Sequence, residues 1–301
     1  MTTTKTANSL PPLIVIVGET ASGKSALAVE LALRLNGELI CADSWTVRRE
    51  VTIGTAKPTG EQQALVPHHL LDIVGPDEDF TAAVFKRLAN DKIADIAGRG
   101  KLPIMVGGTG LYIDGVLFDF NFLPAGDRQD RLLLNELSIV ELLDKIGAEG
   151  LDLGNIDTRN KRRLIRLLET NGAEQVRHPL RDNTLILGIQ TDRETLQQRI
   201  TERVDAMLAM GLEREVDELQ RRYGWDCEAL KGVGYSQWQD YFLGQKNAHE
   251  LAQTRQKIIK ATLDLAKRQR TWFKRNKSIQ WLSTPINMTA AVNLATTFLS
   301  K

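Results

Sequence analysis

Apolar residues in this chain occur in two patterns that together predict alternating strands and helices. Short, mostly apolar runs at residues 13–17, 38–41, 102–106 and 184–189 are typical of strands buried in a parallel sheet. Elsewhere apolar residues recur at helical spacing, over residues 81–99, 193–210, 213–223 and 248–275. Alternation of strands and helices predicts an α/β fold, a three-layer structure in which helices cover a parallel sheet.

The pattern changes between residues 120 and 178. A linker with proline and glycine at 123–127 is followed only by helical repeats, such as those at 132–143 and 161–169. We therefore predict two parts, an α/β core formed by residues 1–119 and 179–301 and an inserted helical domain at 120–178. The sequence contains no internal repeats that would indicate a repeat architecture.

The first apolar run leads directly into a glycine-rich phosphate loop. The pattern G-x-x-x-x-G-K-S spans residues 18–25, and a helical repeat follows at once. N–H groups of such a loop converge on one point, where the helix dipole favours an anion. Lys24 adds a positive charge, and the hydroxyl of Ser25 is a candidate ligand for Mg²⁺. The sequence predicts that a phosphate or pyrophosphate is bound by Gly18, Thr20, Ala21, Ser22, Gly23, Lys24 and Ser25.

Charge is balanced overall but clustered locally. The chain has 301 residues and a net charge of +1, yet residues 255–277 carry nine Lys/Arg and one acid. Residues 159–181 carry seven Lys/Arg and two acids. Clusters of this kind are typical either of a localised nucleic-acid footprint or of solvated helix faces.

The remaining composition indicates a protein of a reducing compartment. Cys41 and Cys227 form no metal-ligand spacing, and two cysteines cannot form a disulfide framework. The polar segment 1–12 lacks the apolar centre of a secretory signal, and no apolar run has the length of a membrane span. We expect a cytoplasmic protein that does not enter a membrane.

Eight segments of the chain occur in the order found in one enzyme family. One of these segments contains Asp43, which follows the second predicted strand, at the edge where α/β sheets bind ligands. The segments are GETASGKS at 18–25, ADS at 42–44, IGTAKP at 53–58, PHHLLD at 67–72, VGGTGLYI at 106–113, RVDAM at 203–207 with Gly211 and Leu212, GVGY at 232–235, and AKRQRTWF at 266–273. From residue 13 to 275 the chain closely resembles the tRNA dimethylallyltransferases, in their bacterial form.

The resemblance implies a reaction and assigns roles to several residues. It implies a P-loop NTPase-like, nucleotide-kinase-like fold that binds dimethylallyl diphosphate with Mg²⁺ and prenylates the exocyclic amine of adenine 37, beside the tRNA anticodon. Asp43 is expected to be the general base, Thr109 to position the reacting groups, and Arg203 to bind pyrophosphate. Each has a simpler interpretation: Asp43 as a Mg²⁺ ligand or helix cap, Thr109 as a loop residue bonded to the backbone, and Arg203 as a surface arginine.

The resemblance also implies contacts with the anticodon stem-loop, whose adenine must be splayed out to react. We expect the protein to act as a monomer. The residues expected to contact tRNA fall in four groups: Asp43, Ser44, Trp45 and Thr46; Thr109; Arg131, Arg162, Arg163 and Arg166; and Lys231, Gly232, Val233, Gly234, Tyr235 and Ser236. Trp272 and Phe273 are aromatics among basic residues and fit either base stacking or the core.

Two stretches depart from the family pattern. Glu19 stands where proline is usual, and we expect little consequence because the loop uses its backbone there. In the stretch 45–50 the family commonly has a tyrosine near position 48 and a glycine at 50, whereas this chain has Arg48 and Glu50. The details of the tRNA contact are therefore left open.

Three other functions are compatible with parts of the sequence. A small-molecule kinase needs a basic lid that closes over its phosphates, and the insertion at 120–178 has enough Lys and Arg residues to serve as one. An adenylate isopentenyltransferase would use the same donor. A GTPase-like module is disfavoured because the guanine motif N-K-x-D is absent: residues 276–279 read N-K-S-I.

Overall fold

The computed structural model describes residues 10–124, 126–173 and 175–301. Residues 1–9 of the polar segment considered above, and Ala125 of the linker, lie outside the described residues. The chain divides into two units. The first comprises the residues up to Leu117 together with Arg181–Lys301, and the second comprises the intervening segment Phe118–Leu180.

The first unit is built on a parallel sheet, which confirms the predicted fold class. In the described part of the chain its strands are β1 Leu13–Gly18, β2 Gly37–Ala42, β3 His68–His69, β4 Leu102–Gly107, β5 Thr184–Gln190 and β6 Ile279–Ser283. Their order across the sheet is β3-β2-β4-β1-β5-β6, and every pair is parallel. The carboxyl ends of β1, β2 and β4 therefore lie along one edge.

Helices follow the strands in sequence and cover both faces of the sheet. The nine helices described in the first unit are α1 Lys24–Arg34, α2 Gly60–Leu65, α3 Ala82–Gly98, α4 Gly110–Leu117, then α8 Arg193–Ala209, α9 Leu212–Tyr223, α10 Gln239–Leu243, α11 Ala248–Phe273 and α12 Met288–Leu299. The three described in the second unit are α5 Arg128–Glu136, α6 Ile139–Ala148 and α7 Lys161–Glu169. None of the helices in these described ranges combines the length and apolar character needed to span a bilayer.

The periodic segments of the first unit become helices close to their predicted bounds. Thr81 caps α3 as expected, because its hydroxyl accepts a hydrogen bond from Val84 N at 3.3 Å. In the second unit the pattern at 132–143 is instead divided between α5 and α6, because Leu137 ends one helix and Ser138 caps the next.

The elements β3, β6, α2, α4, α10 and α12 lie outside the segments predicted as strands or helices. In β6 only Ile279 is buried, so this strand lacks the apolar run of the others. The pattern of helix α12 was overlooked, although its apolar residues that pack on the core recur at helical spacing: Met288, Ala291, Val292, Ala295 and Phe298.

Two apolar clusters hold the first unit together. In one, Ile14 and Ile16 of β1 pack with residues of α1 and with Ala291 and Ala295 of α12. The other joins α8, α9 and α11 and encloses Trp238, which is fully buried. Phe273, at the end of α11, is buried as well, so of its two interpretations the core is the one the structure supports.

The second unit has its own small core. Leu142 and Ile146 of α6 face Leu164 and Ile165 of α7, and all four are buried. Ser138 begins α6 with a capping box, in which its hydroxyl accepts from Glu141 N while Glu141 accepts from Ser138 N.

A buried carboxylate at the amino end of β2 gathers two cationic side chains and an imidazole. Glu38 is 2% exposed and accepts hydrogen bonds from both terminal nitrogens of Arg99 (2.6 and 2.7 Å), from Lys101 Nζ (2.7 Å) and from the ring of His69 (2.7 Å). The hydrogen bonds from Arg99, supported by Lys101 and His69, hold the pKa of Glu38 well below its ordinary value.

Replacing Glu38 with glutamine is expected to lower the free energy of unfolding at pH 7 by about 1–3 kcal/mol, because three donors lose a charged acceptor. A carboxyl whose pKa is depressed by folding stabilises above its ordinary pKa, and this contribution disappears as the pH falls toward the folded pKa. The difference between the two proteins should therefore shrink below pH 4.5, the ordinary value.

Urea unfolding at pH 7 and at acid pH measures this difference. Glu30→Gln is the control, because Glu30 pairs with Arg34 on the surface of α1 and its loss should cost about 0.5 kcal/mol or less. Equal losses in the two variants would contradict the prediction.

Candidate active site

The phosphate loop joins the carboxyl end of β1 to α1. Its backbone is left-handed at Ala21 (φ 61°) and at Gly23 (φ 95°), and Ser22 N donates to Glu19 O at 3.2 Å. Gly23 is the N-cap of α1 and offers no side chain to the first N–H groups of the helix. Those N–H groups remain available to an anion at the helix terminus.

Three cationic side chains converge on this loop. Lys24 Nζ donates to Glu19 O (3.1 Å), Arg203 Nη1 to Thr20 Oγ1 (3.3 Å), and Arg199 Nη1 to Ser22 O (3.5 Å). Loss of hydration lowers the pKa of Lys24 to about 8, with a smaller opposite effect from Asp43. Loss of hydration also lowers the pKa of Arg203, which is partly buried.

The predicted base and its neighbours lie at the same edge of the sheet. Thr109 follows β4, its N–H donates to Ala42 O (3.2 Å), and its hydroxyl accepts from Ser44 N at 3.0 Å. Asp43 follows β2, and its Oδ1 accepts from Trp45 N at 2.9 Å. Gly107 permits this close approach, since a Cβ there would lie 2.0 Å from Ala42 O.

One cavity contains both the phosphate-loop lysine and the carboxylate. Its polar lining includes Thr20, Lys24, Asp43, Arg203 and Gln269, and its apolar lining includes Val204, Met207, Ile258, Leu265 and Val233. A second, more open cavity is lined by Ser22, Gly23, Arg199 and Arg203, so Arg203 borders both. The first cavity suits a ligand with an anionic part and a short apolar part.

Helix α11 supplies contacts that the sequence analysis did not identify. Gln269 Oε1 accepts from Thr20 N (2.8 Å), and its Nε2 donates to Gly108 O (3.1 Å), which links the loop to the segment after β4. Nothing in the spacing of the AKRQRTWF motif distinguishes this glutamine from its neighbours. Trp272 packs against Gly110 and donates from Nε1 to Asp114 Oδ2 at 2.9 Å, so it serves the interior.

The expectation that Glu19 has little consequence is wrong for its side chain. Glu19 is only 3% exposed, and its carboxylate forms a double hydrogen bond with Arg270 of α11. No local pattern in the sequence places α11 beside the loop.

The tRNA-contact residues expected in the first unit fall into two groups. Trp45, Val233 and Gly234 line the cavity, and Gly232 packs against the Trp45 ring. Lys231 and Ser236 are exposed near this wall. By contrast, Thr46 and Tyr235 are 7% and 0% exposed, which leaves them to support the loops around the cavity.

The four arginines expected to contact tRNA lie in the second unit. Arg162 and Arg163 are exposed on α7. Arg131 and Arg166 both pair with Glu169, at 3.2 and 3.1 Å, and Arg166 also donates to two backbone carbonyls. On the second unit Arg162 and Arg163 thus have the freer side chains.

The unusual stretch at residues 45–50 is used by the fold. Arg48 is 6% exposed and donates from Nη1 to three carbonyls of residues 75–78, at 2.6–3.4 Å. Glu50, in a left-handed conformation (φ 67°), accepts from Arg222 and from the hydroxyl of Tyr223. These two departures from the family pattern therefore have structural partners.

The partly buried carboxylate of Glu215 holds two walls of the cavity together. Glu215 of α9 accepts from the backbone N–H groups of Thr52, Ile53 and Gly54 (2.9–3.1 Å) and from the hydroxyl of Tyr235 (2.6 Å). Residues 54–56 and 233–234 both line the cavity. Glu215 was not identified from the sequence, where it is one acid among several in a charged helix.

Comparison with known proteins gives consistent matches over nearly the whole chain. A family profile described as IPP transferase matches residues 46–276. Among curated proteins, tRNA dimethylallyltransferase 1 of Trichlorobacter lovleyi is 42% identical, with 96% of this chain and 99% of that protein aligned. A tRNA dimethylallyltransferase of Staphylococcus aureus is 38% identical, over 90% of this chain and 92% of that protein.

Solved structures agree with the sequence matches. The full-length tRNA isopentenylpyrophosphate transferase of Bacillus halodurans superimposes with a TM-score of 0.75 at 35% identity, covering 96% of this chain and 97% of that one. A eukaryotic dimethylallyltransferase captured acting on tRNA gives a TM-score of 0.78 at 25% identity, covering 96% of this chain and 80% of that one. These matches show that the chain belongs to the IPP transferase family, the tRNA dimethylallyltransferases.

Proposed function

We propose that this enzyme transfers a dimethylallyl group from dimethylallyl diphosphate to the exocyclic amine of adenine 37 in tRNA and releases diphosphate. The observation that carries the proposal is the cavity shared by Lys24 and Asp43, which has cationic groups at the phosphate loop and apolar side chains beside them. The cations suit the leaving group, and the apolar lining suits a five-carbon chain.

The donor half of the reaction is assigned to the phosphate loop. The N–H groups at the start of α1, Lys24 and Arg203 would bind the diphosphate, with Thr20, Ala21 and Ser22 forming the loop around it. As the bond between carbon and the diphosphate oxygen breaks, negative charge grows on that oxygen. Donors already in place stabilise this charge without reorganisation.

Magnesium fits this site as an ion held mainly by substrate. Among the described residues there is no group of three His, Cys, Asp or Glu side chains suited to a metal, whereas Ser25 is exposed beside the loop. Mg²⁺ commonly keeps several waters and binds through substrate phosphates, so one hydroxyl suffices as the protein ligand. When bound, the ion would neutralise part of the charge on the leaving diphosphate.

The acceptor half is assigned to Asp43 and Thr109. The amine nitrogen of adenine forms a bond to the prenyl carbon while the carbon–oxygen bond breaks. The nitrogen must then lose a proton, which the carboxylate of Asp43 accepts. Thr109 holds the backbone of Ser44 and so fixes the turn that presents Asp43.

Recognition of tRNA is assigned to both units. Trp45, Val233 and Gly234 line the cavity. The helical insertion at 120–178 as a whole has ten acids against nine Lys/Arg, but α7 concentrates positive charge at Arg162, Arg163 and Arg166, and Arg131 lies on α5. Contacts with phosphates release counterions, so tRNA binding should weaken steeply with salt. Both cysteines are free and buried, which supports the cytoplasm as the site of action, and we propose a monomer.

A labelling experiment tests the function. Purified protein is incubated with Mg²⁺, radiolabelled dimethylallyl diphosphate, and either tRNA lacking the modification or AMP. Label in tRNA, and mapping of that label to adenine 37, is expected. Label in AMP would favour an adenylate isopentenyltransferase. Label in neither would favour a kinase, which would then be tested by screening phosphate acceptors with ATP.

Glu215→Gln is expected to raise the KM for tRNA about tenfold or more, with a smaller change in the KM for the donor. An amide replaces a carboxylate that accepts from three backbone N–H groups, and such charged acceptors contribute about 1.5–3 kcal/mol. The wall formed by residues 52–57 should then lose its fixed position. Steady-state kinetics with each substrate varied in turn measures the change.

The neighbouring pair Glu213 and Tyr241 provides a matched control. Glu213 lies on the same helix and accepts from the hydroxyl of Tyr241 at 2.9 Å, but neither residue lines the cavity between the loop and Asp43. Glu213→Gln should leave both KM values within about threefold of the starting protein. Equal effects of the two variants would show that Glu215 has no special role.

A further inference from the structure

The phosphate loop of this chain contains a buried acidic side chain where an anion is to bind. Glu19 follows Gly18 directly, and only 4% of its side chain is exposed. Its backbone carbonyl accepts from Lys24 Nζ at 3.1 Å. A buried, unpaired carboxylate so close to a diphosphate would oppose the binding of the ligand.

Arg270 supplies the opposite charge from α11. Its Nε donates to one oxygen of Glu19 and its Nη2 to the other, the latter at 2.9 Å. Nη2 also donates to Thr191 O at 2.9 Å, just beyond β5. The guanidinium is therefore attached both to the loop and to the backbone after the neighbouring strand.

We infer that Arg270 is a positioning residue, which neutralises Glu19 and thereby keeps Lys24 available for the diphosphate of the donor. The inference rests on the proposed function, because it assumes that the loop binds diphosphate. It concerns a residue pair that acts through Lys24 and through the loop backbone, not a group that touches the reacting atoms.

The carboxylate of Glu19 and the diphosphate of the donor would otherwise compete for Lys24. The charge of Glu19 already acts on Lys24 and raises its proton affinity, against the larger effect of lost hydration. Without Arg270, the nearest compensation for the carboxylate would be the Lys24 ammonium, whose Nζ already contacts the backbone oxygen of Glu19. A lysine drawn to Glu19 would bind diphosphate less well, and the loop would lose its anchor to α11.

Calorimetric titration with magnesium pyrophosphate tests the inference without tRNA. Arg270→Met should weaken pyrophosphate binding by about 10–100-fold, because it leaves a buried carboxylate without its partner. Glu19→Gln should bind within about threefold of the starting protein. The double variant should also bind within about threefold, since removing the acid removes the need for the base. Arg270→Lys, which keeps the charge, should retain most of the affinity.

Arg255→Met is the matched control. Arg255 also lies on α11 and forms a double hydrogen bond with a carboxylate, that of Asp205 (2.5 and 2.8 Å), but lies outside the loop and its cavity. Its pyrophosphate affinity should be unchanged.

The possible results separate the two proposals. Full affinity in Arg270→Met, or a double variant as weak as Arg270→Met, would overturn the role of Arg270 and leave the proposed function intact. If the starting protein bound no pyrophosphate, both would be overturned. Rescue in the double variant would establish that the loss in Arg270→Met comes from charge and not from misfolding.

Discussion

Asp43→Asn is expected to lower the turnover number for tRNA by about two to four orders of magnitude, the range typical of a lost general base. The adenine amine is a poor nucleophile because its lone pair is shared with the ring, so removal of its proton matters as the new bond forms. Asparagine has nearly the same shape, and its side-chain oxygen can still accept from Trp45 N, as Asp43 Oδ1 does at 2.9 Å. The turn should therefore remain while the base is lost.

Single-turnover kinetics with saturating donor and tRNA measures the effect on the chemical step. Donor affinity should change little, because the diphosphate is assigned to the loop. Asp91→Asn, on the exposed surface of α3, is the control and should have full activity. Turnover close to that of the starting protein in Asp43→Asn would remove the carboxylate from the role of base.

Lys24→Met is expected to weaken donor binding at least about tenfold and to lower turnover by roughly a hundredfold or more, as loss of a preorganised donor to a leaving group does. The ammonium would contact the diphosphate in both the bound and the reacting state. KM and kcat should therefore change together, unlike in Asp43→Asn. Initial rates with the donor varied at saturating tRNA measure both constants.

The pH dependence gives an independent check on Lys24. Its pKa is lowered to about 8, so the ammonium is present below that pH and is lost above it. In the starting protein kcat/KM for the donor should fall as the pH rises through about 8, and Lys24→Met should lack this fall. Lys92→Met, a surface lysine of α3 paired with Asp95, should keep it. An unchanged alkaline limb in Lys24→Met would assign the titration to another group.

Local sequence was sufficient for most of the fold. The mostly apolar runs became β1, β2, β4 and β5, and the long helical repeats became α3, α8, α9 and α11. These elements were predictable because each buries a face that shows directly as a period in the sequence. The edge strand β6 buries only Ile279, so its place depends on its pairing with β5. Helix α12 was overlooked although Met288, Val292 and Phe298 pack on the core at helical spacing.

The candidate site was predictable in part for the same reason. The phosphate loop and Asp43 follow strands directly, so the parallel sheet brings them to one edge without further information. Gln269 and Arg270 contact the phosphate loop from 249 and 251 positions away in the chain, and Glu215 contacts Gly54 from 161 positions away. Their amphipathic helices show which face is buried but not which loop that face meets.

The sequence by itself determined the parallel α/β framework, the anion-binding loop and the family, because each depends on residues adjacent in the chain or on motifs in a fixed order. Only the tertiary structure decided that Glu19 is paired with Arg270, that Arg48 serves the fold, and that Glu215 joins two walls of the cavity. The physical reason is that a buried charge is tolerated only beside a specific partner. The identity of that partner depends on how distant elements pack, which no local pattern records.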